Sequence, residues 1–255
     1  MIKRITRFIL LGVVLSTASL TSTAATIATT APAASKQVIK PFIARYKLSR
    51  AGKERGTAER ELVVFDSLYR LRYKSSIKWL IFSDERSESS EFKIDGQRVR
   101  PLSYKMERAG TGPDRTYSVT FDRDGQTITA TRNKKTKRKK KSVDQPKWDE
   151  DWLDPISYQQ QLVLDLQQGK KTFNYHFVNR EGLQREYQFK VVGEESLTLP
   201  YGTVKAIKVE RQYDETSERQ TIAWFAPELD YALVRIYKAK GGSEQFDIQL
   251  TELVR

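Results

Sequence analysis

Apolar and polar residues alternate along most of this chain, and this period of two constrains the fold more than any other feature. In residues 42–48 and 117–121, for example, every second side chain is apolar. Such alternation is typical of strands that bury one face. Short turn sequences, among them Asp95-Gly96 and the segments 122–125 and 179–182, separate the alternating stretches. The pattern predicts an all-β chain with about a dozen antiparallel strands in a meander.

A sheet of this width also predicts curvature. A flat, open sheet of about a dozen strands would leave long edges and pack poorly, so it must curl, close or split into two layers. We therefore expect a curved antiparallel β-meander that forms a half-barrel or a barrel.

One segment near the middle of the chain departs from this period. Asp154-Pro155 favours a helix start, with the aspartate as cap, and apolar residues then recur at helical spacing until Gly169. Two interpretations remain open for this single mid-chain helix. Its apolar stripe either covers one opening of the curved sheet or forms a lid over an internal cavity.

The amino-terminal residues predict export. Three basic residues (Lys3, Arg4 and Arg7), an apolar run over 8–15 and the small residues 22–24 are typical of a cleaved secretory signal. We expect cleavage after Ala24, a flexible linker over 25–40 and a single β-rich domain over 41–255. No later apolar run is long enough to span a bilayer. The expected product is a periplasmic protein, most simply a monomer, with no transmembrane span after cleavage.

The chain contains no cysteine. Its core therefore depends on packing instead of disulfides, and zinc–thiolate sites, cysteine nucleophiles and acylation of an amino-terminal cysteine are excluded. No motif for a metal, nucleotide or other cofactor occurs, so none is predicted. The lone histidine, His176, lies opposite the three aromatic residues of its strand, and its sequence context gives no evidence of catalysis. No catalytic residue is predicted, and we expect a protein that is not an enzyme.

Positive charge predicts anionic partners. The formal net charge is +13, and the leader supplies only three of these charges. In the periplasm, the available polyanions are lipid phosphates, lipopolysaccharide and acidic glycans, not nucleic acid. The densest run holds eight cations and predicts a mobile loop that binds anionic surfaces, or else a solvated loop neutralised by the acidic residues downstream. These cations are Arg132, Lys134, Lys135, Lys137, Arg138, Lys139, Lys140 and Lys141.

Apolar residues indicate a second kind of candidate site. Segment 77–82 is apolar on both alternating faces except at Lys78, which is typical of a strand buried on both sides or of an apolar rim around a cavity. A corner around Pro227 carries further aromatic residues, which we expect mainly to fix that corner. The candidate ligand-binding residues from the two segments are Trp79, Ile81, Phe82, Trp224 and Tyr231.

Several short stretches stand out by their order and spacing: WLIF at 79–82, DER at 84–86, ESSEF at 88–92, WLDPIS at 152–157, LPYGTV at 199–204 and WFAPELDY at 224–231. In these stretches the chain resembles a bacterial exported-protein family, domain of unknown function 3108. One departure is Ala232, where the family pattern has a proline. The resemblance implies a β-rich periplasmic domain, similar in outline to the half-barrels that carry lipoproteins, and it brings no catalytic residues.

These features lead to one hypothesis and two alternatives. The first is a periplasmic, non-enzymatic binding or carrier domain for a lipid-like or extended peptide ligand. The second is a structural or assembly factor that contacts envelope proteins or anionic glycans through the basic loop. The third is a hydrolase of envelope polymers, which would need two convergent carboxylates in a polar cleft.

Overall fold

A computed structural model describes residues 39–79, 81–134, 137–142 and 151–255, with the backbone alone for 79 and 133–142. The predicted signal peptide and the linker up to residue 38 lie outside this part of the chain. Within it, no helix combines the length and apolar character needed to cross a lipid bilayer.

Fourteen strands and one α-helix account for most of the described residues. Helix α1 spans Tyr158–Gln167, and a short 3-10 turn covers Pro227–Leu229. The strands are β1 Phe42–Arg50, β2 Lys53–Phe65, β3 Leu68–Trp79, β4 Phe82–Asp95, β5 Arg98–Gly110, β6 Arg115–Asp122, β7 Thr127–Lys134, β8 Lys137–Ser142, β9 Thr172–Val178, β10 Gln184–Leu199, β11 Gly202–Gln212, β12 Arg219–Ala226, β13 Ala232–Lys240 and β14 Ser243–Val254.

All fourteen strands form one antiparallel sheet in the order β8-β7-β6-β5-β4-β3-β2-β1-β14-β13-β12-β11-β10-β9. Within the described residues, the two meanders β1–β8 and β9–β14 are therefore joined by strand pairing only where β1 pairs with β14 at the centre. The sheet is not closed, because its outer strands β8 and β9 do not pair with each other. The prediction of an all-β antiparallel meander with one mid-chain helix is confirmed.

The sheet is strongly curled, because α1 contacts strands near its two ends. The Gln161 side-chain oxygen accepts a hydrogen bond from the Val99 amide on β5 at 2.8 Å, and Asp165 accepts one from the Tyr175 hydroxyl on β9 at 2.7 Å. In a flat sheet, β5 and β9 would lie ten strand spacings, or about 48 Å, apart. A helix of ten residues is only about 15 Å long, so the sheet must wrap around it.

The concave side is packed around the helix. Leu162, Leu164 and Leu166 are each at most 3% exposed and share one apolar cluster with residues from both meanders, such as Phe92 and Phe177. A second cluster, around Tyr46, Trp224 and Leu250, involves β1, β2 and β10–β14. Helix α1 therefore packs its apolar side chains against the concave side of the curled sheet.

The helix begins three residues later than the sequence predicts. Asp154 is fully buried and caps a preceding turn, where one of its carboxylate oxygens accepts the Ile156 and Ser157 amides at 2.9 and 2.8 Å. Its other oxygen accepts the Ser90 hydroxyl of β4. Asp154 thus ties the approach to α1 to the sheet, and Gly169, with φ of 76°, follows the helix in the left-handed conformation.

Burial raises the pKa of Asp154 to about 6, although the hydrogen bonds from Ser90, Ser157 and Ile156 oppose that shift. A carboxyl with a raised native pKa binds more protons in the folded state, so its contribution to stability is greatest below pH 4 and is lost between about pH 4 and 6. The total change corresponds to on the order of 3 kcal/mol.

Asp154→Asn is the matched variant, because its amide can accept the same two backbone N–H groups and donate to Ser90. Urea unfolding of both proteins from pH 4 to 8 should show the Asp154→Asn variant gaining stability relative to the native protein as pH rises. Other titrating groups cancel in this difference. A difference that stays constant across the range would show that Asp154 does not titrate as described.

Candidate functional site

Cations from four strands of the two meanders gather on the concave side of the sheet, beside α1. We call Arg60, Arg86, Arg211 and Lys238 the interior cation cluster. They lie on β2, β4, β11 and β13. The alternation of side chains explains the position of Arg60, Arg211 and Lys238, since each shares a face with apolar residues two positions away in the same strand.

Arg60 is the most buried member, at 6% exposure. Its inward neighbours on β2 are Ala58 and Leu62, both buried, and its guanidinium carbon lies 5.9 Å from the centre of the Phe42 ring. One terminal nitrogen, Nη2, has no hydrogen-bond partner. Burial raises the pKa of Tyr46, and the charge and hydrogen bond of Arg60 partly offset that rise. Arg60 forms no ion pair with any carboxylate of the described residues.

Arg211 and Lys238 belong to the opposite wall. The Arg211 guanidinium stacks on Tyr187, 3.2 Å from the ring centre, and lies 4.4 Å from the centre of Tyr213, while its Nε has no partner. The Lys238 residue as a whole is exposed to solvent. Its ammonium group nevertheless lies close to other protein atoms, as expected inside an open concavity. This burial, together with the charges of Arg211 and Arg86, lowers the pKa of Lys238.

The same electrostatic contacts show that β13 faces β4 across the concavity. Glu88 on β4 favours the charged form of Lys238, whereas Arg86 disfavours it. Glu88 accepts a hydrogen bond from the Tyr104 hydroxyl at 2.6 Å, and Arg86 is paired with Asp84 at 2.7 Å. Glu88 and Asp84 are thus two carboxylates of β4 that lie close to these cations.

Aromatic side chains form a floor beside the interior cation cluster. Tyr158 on α1 lies between 5.7 and 6.5 Å, centre to centre, from four rings on β9 and β10, including those of Tyr187 and Phe189. Burial raises the pKa of Tyr158 to about 12, while the charges of Arg211 and Arg60 act in the opposite direction. We call Tyr158, Tyr187 and Phe189 the aromatic floor.

A depression of about 790 Å³ adjoins the interior cation cluster, with Tyr46, Ser75 and Arg86 in its wall. Sequence neighbours such as Ala58 and Glu59 both line it, although alternate side chains point to opposite faces of a strand. It is therefore an open depression with a mixed lining, not an enclosed apolar chamber. In this conformation, the depression is open to solvent and does not form the enclosed volume that a carrier would use for its ligand.

The predicted apolar candidates do not form one site. Ile81 and Phe82 are 86% and 57% exposed at the tip of the β3–β4 hairpin, so this end of the segment is not a strand buried on both sides. The side chain of Trp79 lies outside the described part of the chain. Ile77, earlier in the same segment, packs against the second apolar cluster.

The two candidates from the Pro227 corner also separate. Trp224 is 4% exposed in the second cluster, where it donates to Glu195 and contacts Lys208 and Arg235 through its ring. Tyr231 packs against the first cluster and has a left-handed φ of 59°. The two residues therefore pack into different apolar clusters.

The basic run is a hairpin, which corrects the prediction of a mobile loop. Residues of β7 and β8 pair in register, and Arg132 faces Lys139 while Lys134 faces Lys137. β8 is the outermost strand, where lysines discourage further strand pairing. The guanidinium carbons of Arg132 and Arg180 each lie 5.4 Å from the centre of the Tyr117 ring. The side chains of Lys134, Lys137, Arg138, Lys139, Lys140 and Lys141, and the whole of Lys135, lie outside the description.

On β9, the side chain of His176 lies on the face opposite to that of Tyr175 and Phe177, as predicted. The centre of its ring is 5.7 Å from that of Trp152. Among the described residues, no group of three or more His, Cys, Asp or Glu side chains is placed to hold a metal ion.

Sequence reasoning missed the interior cation cluster. A signal was nevertheless present, because a cation follows or precedes an apolar inward residue by two positions: Arg60 before Leu62, Arg211 after Val209 and Lys238 after Ile236. The alternation alone could not show that these three strands face one another.

The fold and the site together define an all-β protein in which one open, curled antiparallel sheet holds a helix and a cluster of cations on its concave side. Residues 45–249 match the family described as "Protein of unknown function (DUF3108)". Because the match covers most of the chain, the protein belongs to this family, and the resemblance predicted from the sequence is confirmed.

No curated protein matches the chain. Among solved structures, the chain is similar to immune modulator A of Aeromonas veronii, with 8% sequence identity over 82% of this chain and 75% of that one, at a TM-score of 0.22.

Proposed function

We propose that the protein is a non-enzymatic, periplasmic binding or carrier domain that holds a lipid-like ligand on the concave side of its sheet. The observation that carries this proposal is the aromatic floor on the concave side, with the cations Arg211 and Arg60 next to it. Half-buried aromatic rings such as Tyr158 and Tyr187 offer apolar area to a ligand, and their hydroxyl groups tolerate water at the boundary.

The partly open concavity suits a ligand that has an apolar and a polar part. The apolar part would lie on the aromatic floor, where helix α1 already supplies packed side chains, and the polar part would remain near the exposed members of the interior cation cluster. An extended peptide with apolar side chains is an alternative ligand of the same site.

A second candidate function uses the β7–β8 hairpin as an anionic docking surface of a structural or assembly factor. The observation in its favour is the direct pairing of like charges, as between Lys134 and Lys137, which destabilises a hairpin unless anions neutralise it. Lipopolysaccharide, an anionic glycan or an acidic envelope protein would then be the partner.

Titration with the neutral hydrophobic probe N-phenyl-1-naphthylamine tests the first function. We expect saturable fluorescence enhancement with the full chain, and binding about tenfold weaker in Tyr187→Ala because part of the aromatic floor is lost. Tyr201→Ala is the matched control, since Tyr201 is 37% exposed in the β10–β11 turn outside the floor.

A variant with the eight cations of the basic run replaced by serine separates the two candidates. The first function requires unchanged probe binding in this variant. Absence of saturable binding, or equal losses in the Tyr187 and Tyr201 variants, would contradict a ligand site on the aromatic floor. Loss of probe binding in the eight-serine variant alone would contradict a ligand site confined to the aromatic floor.

A further inference from the structure

We propose that the interior cation cluster binds the phosphate head group of a single-chain amphiphile whose tail lies on the aromatic floor. This inference rests on the proposed function and adds the chemical class of the ligand. It starts from Arg60, whose burial at 6% exposure is costly for an ion that has no carboxylate partner among the described residues. An anion that reaches Nη2 would satisfy this guanidinium.

The groups around the concavity leave a net positive charge. From β2, β4, β11 and β13 come Arg60, Arg86, Arg211 and Lys238, and the carboxylate of Glu88 on β4 lies close to Lys238. Asp84, further along β4, pairs with Arg86 and also with Arg108 of β5 at 2.8 Å. The cations repel one another, as the effect of Arg211 and Arg86 on Lys238 shows. A bound anion would remove that repulsion.

Phosphate fits this charge better than a carboxylate does. A phosphate monoester carries about −1.5 to −2 near neutral pH and has three acceptor oxygens, whereas a carboxylate carries a single charge. Planar guanidinium groups donate two parallel hydrogen bonds to phosphate oxygens, and an ammonium adds a point charge. Arg60 and Arg211 have the unpaired nitrogens Nη2 and Nε, and Lys238 supplies the ammonium.

The position of the aromatic rings extends the site to an amphiphile. Arg211 stacks on Tyr187, and the charge of Arg60 reaches Tyr158, so cations of both walls lie next to the floor. A head group held by Arg60 and Arg211 would place the first methylene groups of its chain against these rings.

Dodecyl phosphate below its micelle concentration is the probe, measured by calorimetry and by displacement of N-phenyl-1-naphthylamine. Dodecyl maltoside and dodecyltrimethylammonium supply the same tail with a neutral and a positive head group. We expect dodecyl phosphate to bind at least about tenfold tighter than either, and tighter than dodecanoate.

Arg60→Met and Lys238→Met should each weaken dodecyl phosphate about tenfold and leave dodecyl maltoside unchanged. Lys208→Met is the matched control, because Lys208 lies over Trp224 in the second apolar cluster and its loss removes the same charge elsewhere. Without ligand, Arg60→Met should melt at the same temperature or higher, since the unpaired buried charge is gone. If Arg60→Met fails to fold, Lys238→Met still tests the phosphate site, because Lys238 is an exposed residue.

The outcomes separate the inference from the function on which it rests. Equal binding of dodecyl phosphate and dodecyl maltoside would overturn the phosphate site and leave the lipid-like ligand in place. Tight binding of inorganic phosphate, lost in Arg60→Met, together with no binding of any tailed probe, would support the phosphate site and overturn the lipid-like ligand. If Lys208→Met weakens the binding of dodecyl phosphate as much as Arg60→Met and Lys238→Met do, the effect comes from overall charge alone. That result would overturn the inference.

Discussion

Removal of residues 243–255 is expected to abolish folding of the whole domain. β14 pairs with β1 on one side and with β13 on the other, and no other strand joins the two meanders. Its loss would turn β1 and β13 into unpaired edges and open the second apolar cluster at Leu250, which is fully buried. The stability of a typical domain, about 5–15 kcal/mol, would not survive such a change.

Circular dichroism and urea unfolding of the truncated chain should show no cooperative transition. Removal of Val254 and Arg255 alone is the control, because Val254 is 45% exposed and the pairing up to Leu253 is kept. Addition of a synthetic peptide of residues 243–255 should restore part of the transition if β14 acts by strand pairing. A truncated chain that stays monomeric and unfolds cooperatively would show that the meanders fold independently.

The alternation of side chains was sufficient to predict the strands but not the place where the two meanders join. Hairpin signals such as Asp95-Gly96 act between neighbouring residues, and the β4–β5 turn forms there with Gly96 at a φ of 57°. The pairing of β1 with β14 joins residues about 200 positions apart and has no local signal. In the turn before β7, Gln126 takes the left-handed conformation, with a φ of 49°.

The candidate site was missed for a related reason. Inward cations such as Arg60 and Lys238 are visible in the alternation, but the curl of the sheet brings β4 opposite β13. Conversely, the apolar segment that ends at Phe82 is conspicuous in the sequence, yet its end is an exposed hairpin tip. Composition shows which residues are apolar or charged, whereas curvature decides which of them meet.

The helix shows the same division between local and long-range information. Its apolar residues and Gly169 predicted a helix, but Asp154 caps the turn before it, because a partner on β4, Ser90, holds the carboxylate in place. Asp165, in the last turn of α1, is also buried, at 4% exposure. The helical period places it seven residues after Tyr158, on the apolar face of the helix, and its partners on other elements explain why a carboxylate can lie there.

Replacement of Asp165 by leucine is the second large effect that we expect, at about 1–3 kcal/mol of lost stability, the cost of a buried hydroxyl left without its acceptor. Its carboxylate accepts hydrogen bonds from the Tyr175 hydroxyl at 2.7 Å and from the Lys170 ammonium at 2.6 Å, with Gln161 at 3.3 Å. Without that carboxylate, the buried Tyr175 hydroxyl loses its acceptor, and the tie between α1 and β9 is broken. Burial and the charge of Asp165 both raise the pKa of Tyr175, so the hydroxyl stays a donor at neutral pH.

Urea unfolding of a graded set of variants measures this network. Asp165→Asn keeps one acceptor oxygen for Tyr175 and should cost less than Asp165→Leu, while Tyr175→Phe leaves Lys170 and Gln161 in place and should cost only about 1 kcal/mol. Because the carboxylate also orders the helix that carries Tyr158, Asp165→Leu should weaken N-phenyl-1-naphthylamine binding even where the protein is still folded. A loss no greater than that of Tyr175→Phe would mean that water replaces the carboxylate, and that α1 is held in the curled sheet by apolar packing alone.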